Sequence, residues 1–250
     1  MSVLDDQPQN STSGGNWFTT THWSVVLSAG QDGSPHAADA LEKLCRVYWY
    51  PLYAYVRRQG EDEQSAQDLT QGFFERFLEK NYLAQVQPEK GKFRCFLLAS
   101  LKHFLADEWD KAKAQKRGGR RTFVSLDDSA GEDRYRLEPV DVMTAEMLFD
   151  RRWAFTVLEQ ARGRLKDEFS KAGKSMLYDH LKSFESGDRG EKSYAEVAGQ
   201  LGMTESAIKS AISRLRLRYR ELVRDEVANT VSSPADIDEE IRHLISVISR

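Results

Sequence analysis

Apolar side chains recur at intervals of three and four along most of this chain, and only six prolines and sixteen glycines interrupt its 250 residues. That spacing puts them on one face of a 3.6-residue helix, not on one side of a strand, so it predicts a nearly all-helical fold. Leu69, Phe73, Phe74, Phe77 and Leu78 make one such stripe within 66–80. A longer one within 93–113 uses Phe93, Phe96, Leu97, Leu101, Phe104, Leu105 and Trp109. Before them, Ala40, Leu41, Leu44, Val47 and Tyr48 predict a helix that Pro51 either kinks or restarts through Leu52, Tyr55 and Val56. Further helices are predicted over 146–169, 175–184 and 237–248, the last with Ser233 as N-cap and Pro234 in its first turn.

The segments between the stripes divide the chain. Residues 1–16 are polar and turn-rich, too poor in apolar surface to offset the entropy of ordering, and read as a disordered arm. A short apolar segment, Trp17 to Leu27, follows. Between Gly118 and Ala145 the periodicity disappears, and residues 125–150 hold eight acids against two basic residues, the composition of a flexible interdomain linker. The expected units are therefore 17–117, a linker at 118–145, 146–228, and a helical extension at 229–250.

With 36 basic against 39 acidic residues the net charge is -3, which excludes a polycation that coats nucleic acid indiscriminately. No window approaches 18 uncharged apolar residues, and Asp5 and Asp6 stand where a signal peptide would be basic, so a cytoplasmic protein without membrane insertion is expected. Cys45 and Cys95 are isolated within apolar helical stretches and read as buried thiols of a reducing compartment.

Residues 193–220 carry the most specific pattern. Ser193 with Glu196 three residues on is a capping box, Gly202 supplies a left-handed stop, and Thr204 caps a second helix. Tyr194, Val197, Ala198 and Leu201 of the first helix face Ala207, Ile208, Ala211, Ile212 and Leu215 of the second, with small Ala198 permitting a close crossing. This is a helix-turn-helix pattern. The outer face of the second helix offers Thr204, Glu205, Ser206, Lys209, Ser210, Ser213, Arg214, Arg216 and Arg218, and residues 205–220 hold five basic residues and one acid. A basic helix of this diameter suits the major groove of DNA.

A second basic patch spans 85–121, with ten basic residues and four acids. Its cations are interleaved with Phe93, Phe96, His103, Phe104 and Trp109. Aromatic faces beside cations suit unstacked single-stranded bases, although the aromatic stripe taken alone is better read as core.

The order of these elements matters more than any one of them. LYAYVRRQGEDEQSAQDLTQGFFERFLEK at 52–80, followed by FRCFLLASLKHFLADEWDKAKAQKR at 93–117, resembles region 2 of bacterial sigma-70 family factors of the extracytoplasmic-function type. Residues 193–221 resemble region 4 of the same family. The resemblance covers about half of the chain. It implies an all-α fold of two helical domains, a region 2-like bundle and a region 4-like helix-turn-helix domain, joined by the acidic linker. It further implies a sigma factor that binds core RNA polymerase and directs promoter recognition in transcription initiation, with an anti-sigma protein or other regulator as a further partner.

By that resemblance Asp68, Leu69, Gln71, Phe74 and Arg76 contact core polymerase. Lys92, Arg94, Lys102, His103, Lys111 and Lys113 hold the minus-10 element, and the second helix of the helix-turn-helix reads the minus-35 element. Gly72 stands where the family usually has a glutamate, and Ala211 where it often has an arginine, which shifts readout toward Lys209, Ser210, Ser213 and Arg214.

Catalytic patterns are absent from the sequence. Gly173-Lys174-Ser175 ends like a phosphate-binding loop, but Glu168 replaces the required first glycine and no strand precedes it. The five histidines are too scattered for metal ligation, so neither an enzyme nor a cofactor is expected. The alternative reading is a stand-alone helix-turn-helix regulator that binds duplex DNA without polymerase.

Overall fold

The computed structural model describes residues 35–79, 92–115, 132, 135, 136, 143–184 and 193–249. The N-terminal arm, the Trp17 to Leu27 segment, Lys116, Arg117, Arg120, Arg121 and most of the acidic segment lie outside them. The described residues form helices, joined at one place by an isolated antiparallel bridge between Lys92 and Val231.

Helix α1 (Pro35–Arg58) runs unbroken through Pro51, which forfeits one backbone hydrogen bond but is buried in the core. Arg57 and Arg58 in its last turn complement the negative end of the helix dipole, and Gly60, at φ 98°, turns the chain. Helix α2 (Glu63–Glu79) starts at Asp62, whose carboxylate accepts the Ser65 amide at 2.8 Å. That capping bond holds the Asp62 carboxyl below its usual range. Helix α3 (Phe93–Gln115) begins where the Phe93 amide donates to Thr230 O at 3.1 Å.

Helix α4 (Ala145–Lys171) is capped by Thr144, whose side chain accepts the Met147 amide. Helix α5 (Ser175–Leu181) and a 3-10 turn (Lys182–Phe184) follow. Gly173, at φ 68°, terminates α4, so the Gly-Lys-Ser tripeptide is a helix end that leads into another helix. Helices α6 (Tyr194–Leu201) and α7 (Glu205–Ala228) form the helix-turn-helix, and a 3-10 turn (Pro234–Asp236) leads to α8 (Ile237–Ile248). Ser233 caps that turn and Pro234 occupies its first position, as the sequence pattern predicts.

Two apolar cores organise these helices. The first gathers Tyr48, Leu52 and Tyr53 of α1, Phe73 and Phe77 of α2, Phe93, Leu97 and Leu101 of α3, and Phe149 and Trp153 of α4. Val227, Val231, Leu244 and Val247 join it from the far end of the sequence. The second gathers Ala161 and Leu165 of α4, Tyr178, Leu181 and Phe184, Val197 and Ala198 of α6, and Ile208, Ile212, Leu215 and Leu222 of α7.

The partition expected from sequence therefore meets one complication. Helix α4, placed wholly in the second unit, packs its first half on α1 and its second half on α7. Part of the acidic segment is also anchored rather than loose. Glu132 is 5% exposed and accepts hydrogen bonds from the Tyr53 hydroxyl at 2.6 Å and from Arg57 at 2.8 and 2.9 Å. Arg57 also lies over the Tyr135 ring at 4.7 Å. Among the described residues no helix is long and apolar enough to cross a membrane. Cys95, expected inside, is exposed on α3, because it falls between the positions that Arg94 and Phe96 turn inward.

Candidate nucleic-acid interface

The helix-turn-helix is built by short-range chemistry. Ser193 accepts the Glu196 amide at 3.3 Å while the Glu196 carboxylate accepts the Ser193 amide at 2.6 Å, completing the capping box. Gly202 stands in the left-handed region at φ 63°, and the Met203 amide donates to Ala198 O at 3.0 Å. A side chain at Gly202 would be strained there, so the turn selects glycine. The Thr204 hydroxyl accepts the Ala207 amide at 3.2 Å and starts α7. Val197, Ala198, Ile208, Ala211, Ile212 and Leu215 are buried as the apolar pattern predicts.

On the opposite side of α7, Thr204, Glu205, Ser206, Lys209, Ser210, Ser213, Arg214 and Arg220 are exposed. Lys209 lies 3.9 Å from Glu205 and 5.7 Å above the Tyr194 ring, a loose arrangement that leaves its ammonium at the surface. Arg214 and Arg220 make no ion pair among the described residues.

Two arginines assigned to the same face point elsewhere. Arg216 donates from Nε to Phe184 O at 2.7 Å, which ties α7 to the 3-10 turn. Arg218 donates to both carboxylate oxygens of Glu168 on α4, at 2.7 and 2.9 Å, and to Glu221 at 2.8 Å. Those bonds hold the Glu168 carboxyl below its usual range. Helix periodicity explains the split: positions 216 and 218 have rotated from the outer face toward α4 and α5, where carboxylates and a carbonyl receive them.

Helix α3 divides in the same manner. Phe93 and Phe104 are buried, Phe96 and Trp109 half-buried, and Trp109 donates to Glu61 at 2.8 Å. Of the five rings interleaved with the basic residues, only His103 is exposed, so the other four serve the core rather than stacking bases. Lys102, Lys111 and Lys113 are exposed and paired with Glu146 at 2.7 Å, Glu108 at 2.7 Å and Asp110 at 3.5 Å. Such surface pairs exchange readily for other anions.

Lys92 and Arg94 are held differently. Arg94 is 8% exposed, lies over the Trp153 ring at 5.3 Å, and pairs with Asp150 at 2.8 Å and with Glu240 at 2.5 Å. The Lys92 ammonium lies 2.7 Å from Glu239 and 3.0 Å from Glu240. Burial depresses both cations, but the carboxylates outweigh it and raise them, so both remain charged. By the resemblance both residues hold the minus-10 element; in the structure the carboxylates of α8 cover them.

The candidate polymerase contacts on α2 also separate. Asp68 accepts from Gln64 at 3.0 Å and Gln71 donates to Glu75 at 2.9 Å on the outer side of the helix. Leu69 packs against the first core and Phe74 is buried in it. Arg76 turns to α3, 3.2 Å from Asp107 and 5.8 Å from the Phe104 ring centre. Among the described residues no cluster of His, Cys, Asp and Glu could hold a metal ion.

Comparison with known protein families, with characterised proteins and with solved structures returned no match.

Proposed function

We propose that this chain is a sigma factor of the extracytoplasmic-function type, which binds core RNA polymerase and directs promoter recognition and opening. The observation that carries the reading is the α6–α7 unit. A capped helix is turned at a left-handed glycine onto a second capped helix, whose outer face presents Lys209, Ser210, Ser213 and Arg214 with an apolar inner face. An exposed face of hydroxyls and long cations is what base edges and phosphates require in a major groove. The exposed Lys102, Lys111 and Lys113 supply a second cationic edge on α3, with the exposed His103 ring beside Lys102, for an opened strand. Asp68 and Gln71, on the outer side of α2, are the residues best placed to meet polymerase.

The test is reconstitution. The full chain added to core RNA polymerase yields transcripts that start at defined promoters. Failure to bind core polymerase, together with a shift of duplex DNA by the chain alone, would overturn the reading in favour of a stand-alone regulator.

A further inference from the structure

Nothing in a helical fold obliges α8 to bring acids to the start of α3. Its stripe of Ile237, Ile241, Leu244 and Ile248 suffices to pack it against the first core. Yet Glu240 occupies a position on that stripe, is 0% exposed, and faces Arg94 and Lys92, with Glu239 on the ammonium from the solvent side. Asp150 completes the cluster from α4, and His243 Nε2 lies 3.4 Å from its second oxygen. Taking these charges out of water costs more than matched apolar side chains would. Their mutual attraction roughly offsets that cost, so the cluster adds little net stability, while removing one partner leaves the opposing charge buried and uncompensated. Released from α8, Lys92 and Arg94 would be two adjacent cations at the entry to the basic helix, lacking all of their carboxylates except Asp150.

We infer that the Lys92–Arg94 edge is an anion site for the phosphates of a nucleic-acid strand, and that α8 occupies it in this structure with Glu239 and Glu240 as stand-ins for phosphate. The inference rests on the proposed nucleic-acid function of α3. The carboxylate pair satisfies what a strand would bring: charged oxygens at hydrogen-bond distance from an ammonium and a guanidinium. Helix α8 is three turns long and is reached from α7 through residues 229–236, which include the Pro234–Asp236 turn, so its release breaks the Arg224–Asp238 pair and uncovers Leu244 and Val247 but leaves α7 wound. Strand and α8 therefore compete, and full engagement of α3 requires α8 to leave.

The experiment uses the full chain and a fluorescein-labelled single-stranded DNA of about a dozen nucleotides. Saturating oligonucleotide speeds amide exchange across 237–248, while α6 and most of α7 keep their protection. The variant E239Q/E240Q keeps helical shape but weakens the charge-assisted bonds, and it binds the oligonucleotide about tenfold more tightly. Exchange in the unmodified chain decides alone should the variant fail to fold. Oligonucleotide binding that leaves exchange at 237–248 unchanged overturns the inference and leaves the function standing. Absence of oligonucleotide binding by both the unmodified chain and E239Q/E240Q overturns the inference, and absence of polymerase binding as well overturns the function with it.

Discussion

Arg57 grips Glu132 from 75 positions away in the sequence, with Nε and Nη2 at 2.9 and 2.8 Å from the two carboxylate oxygens. Tyr53 adds its hydroxyl to one of those oxygens, so a residue of the acidic segment becomes part of the first core's rim. The Arg57 bonds, aided by Tyr53 and opposed by burial, hold the Glu132 carboxyl below its usual range. A depressed folded value means that the ionised form favours the fold. Its contribution is complete above the ordinary glutamate range near pH 4.3 and is lost as pH falls through the folded value. Thermal melts should therefore fall in temperature between about pH 5 and pH 3. Glu132→Gln should cost about 1.5–3 kcal/mol at pH 7, the worth of hydrogen bonds to a charged group, and should flatten part of the acid loss. Equal pH profiles for the two proteins would show that Glu132 contributes nothing to it.

The arginines of α7 should separate into two kinds by measurement. Arg214→Ala should weaken promoter binding by about 1–3 kcal/mol with little change in melting temperature, as expected for a side chain that reads a base edge. Arg218→Ala should do the reverse, lowering stability by about 0.5–1 kcal/mol through the loss of its half-exposed Glu168 and Glu221 pairs, with the footprint retained. Footprinting and calorimetry on the same preparations distinguish them.

Gly72 sits in the middle of α2, and a Cβ there would meet Phe104 Cζ at 3.6 Å, an ordinary contact. Gly72→Ala should raise stability by about 0.5–1 kcal/mol, because alanine loses less backbone freedom in a helix. Denaturant titration reads the change directly. Unchanged or lower stability would show that the Phe104 ring cannot accommodate the methyl group.

Ser193→Ala removes the acceptor of the Glu196 amide and half of the capping box. It should cost about 1 kcal/mol and fray the start of α6, seen as faster amide exchange at 194–197. Thr204→Ala should act likewise on α7 and should also weaken promoter binding, since α7's first turn lies on the candidate interface.

What was legible in the sequence is what short-range physics decides. The caps at Ser193 and Thr204, the left-handed Gly202 and the buried face of Ile208, Ala211, Ile212 and Leu215 are all consequences of neighbours within four residues. The fates of several cations were less legible, because they depend on partners 31 to 147 positions away, as with Arg76 and Asp107 or Lys92 and Glu239. One of these did leave a trace. Glu240 falls on the apolar stripe of α8 between Ile237 and Leu244, and an acid in that position requires a buried cation opposite. Glu132 left none, since its segment has no periodicity to make an inward residue stand out. The aromatics of α3 were ambiguous for another reason: rings at helical spacing favour a core, but beside lysines they also suit a stacking platform, until packing chooses.

Helix α4 lends both cores a wall from one continuous 27-residue rod, about 40 Å long at 1.5 Å per residue. Its length then acts as a ruler and its pitch as a phase setting. One residue inserted between Val157 and Ala161 would lengthen the rod by about 1.5 Å and twist the α6–α7 reading face by about 100° relative to α3. A change of a whole number of turns would alter the reach alone.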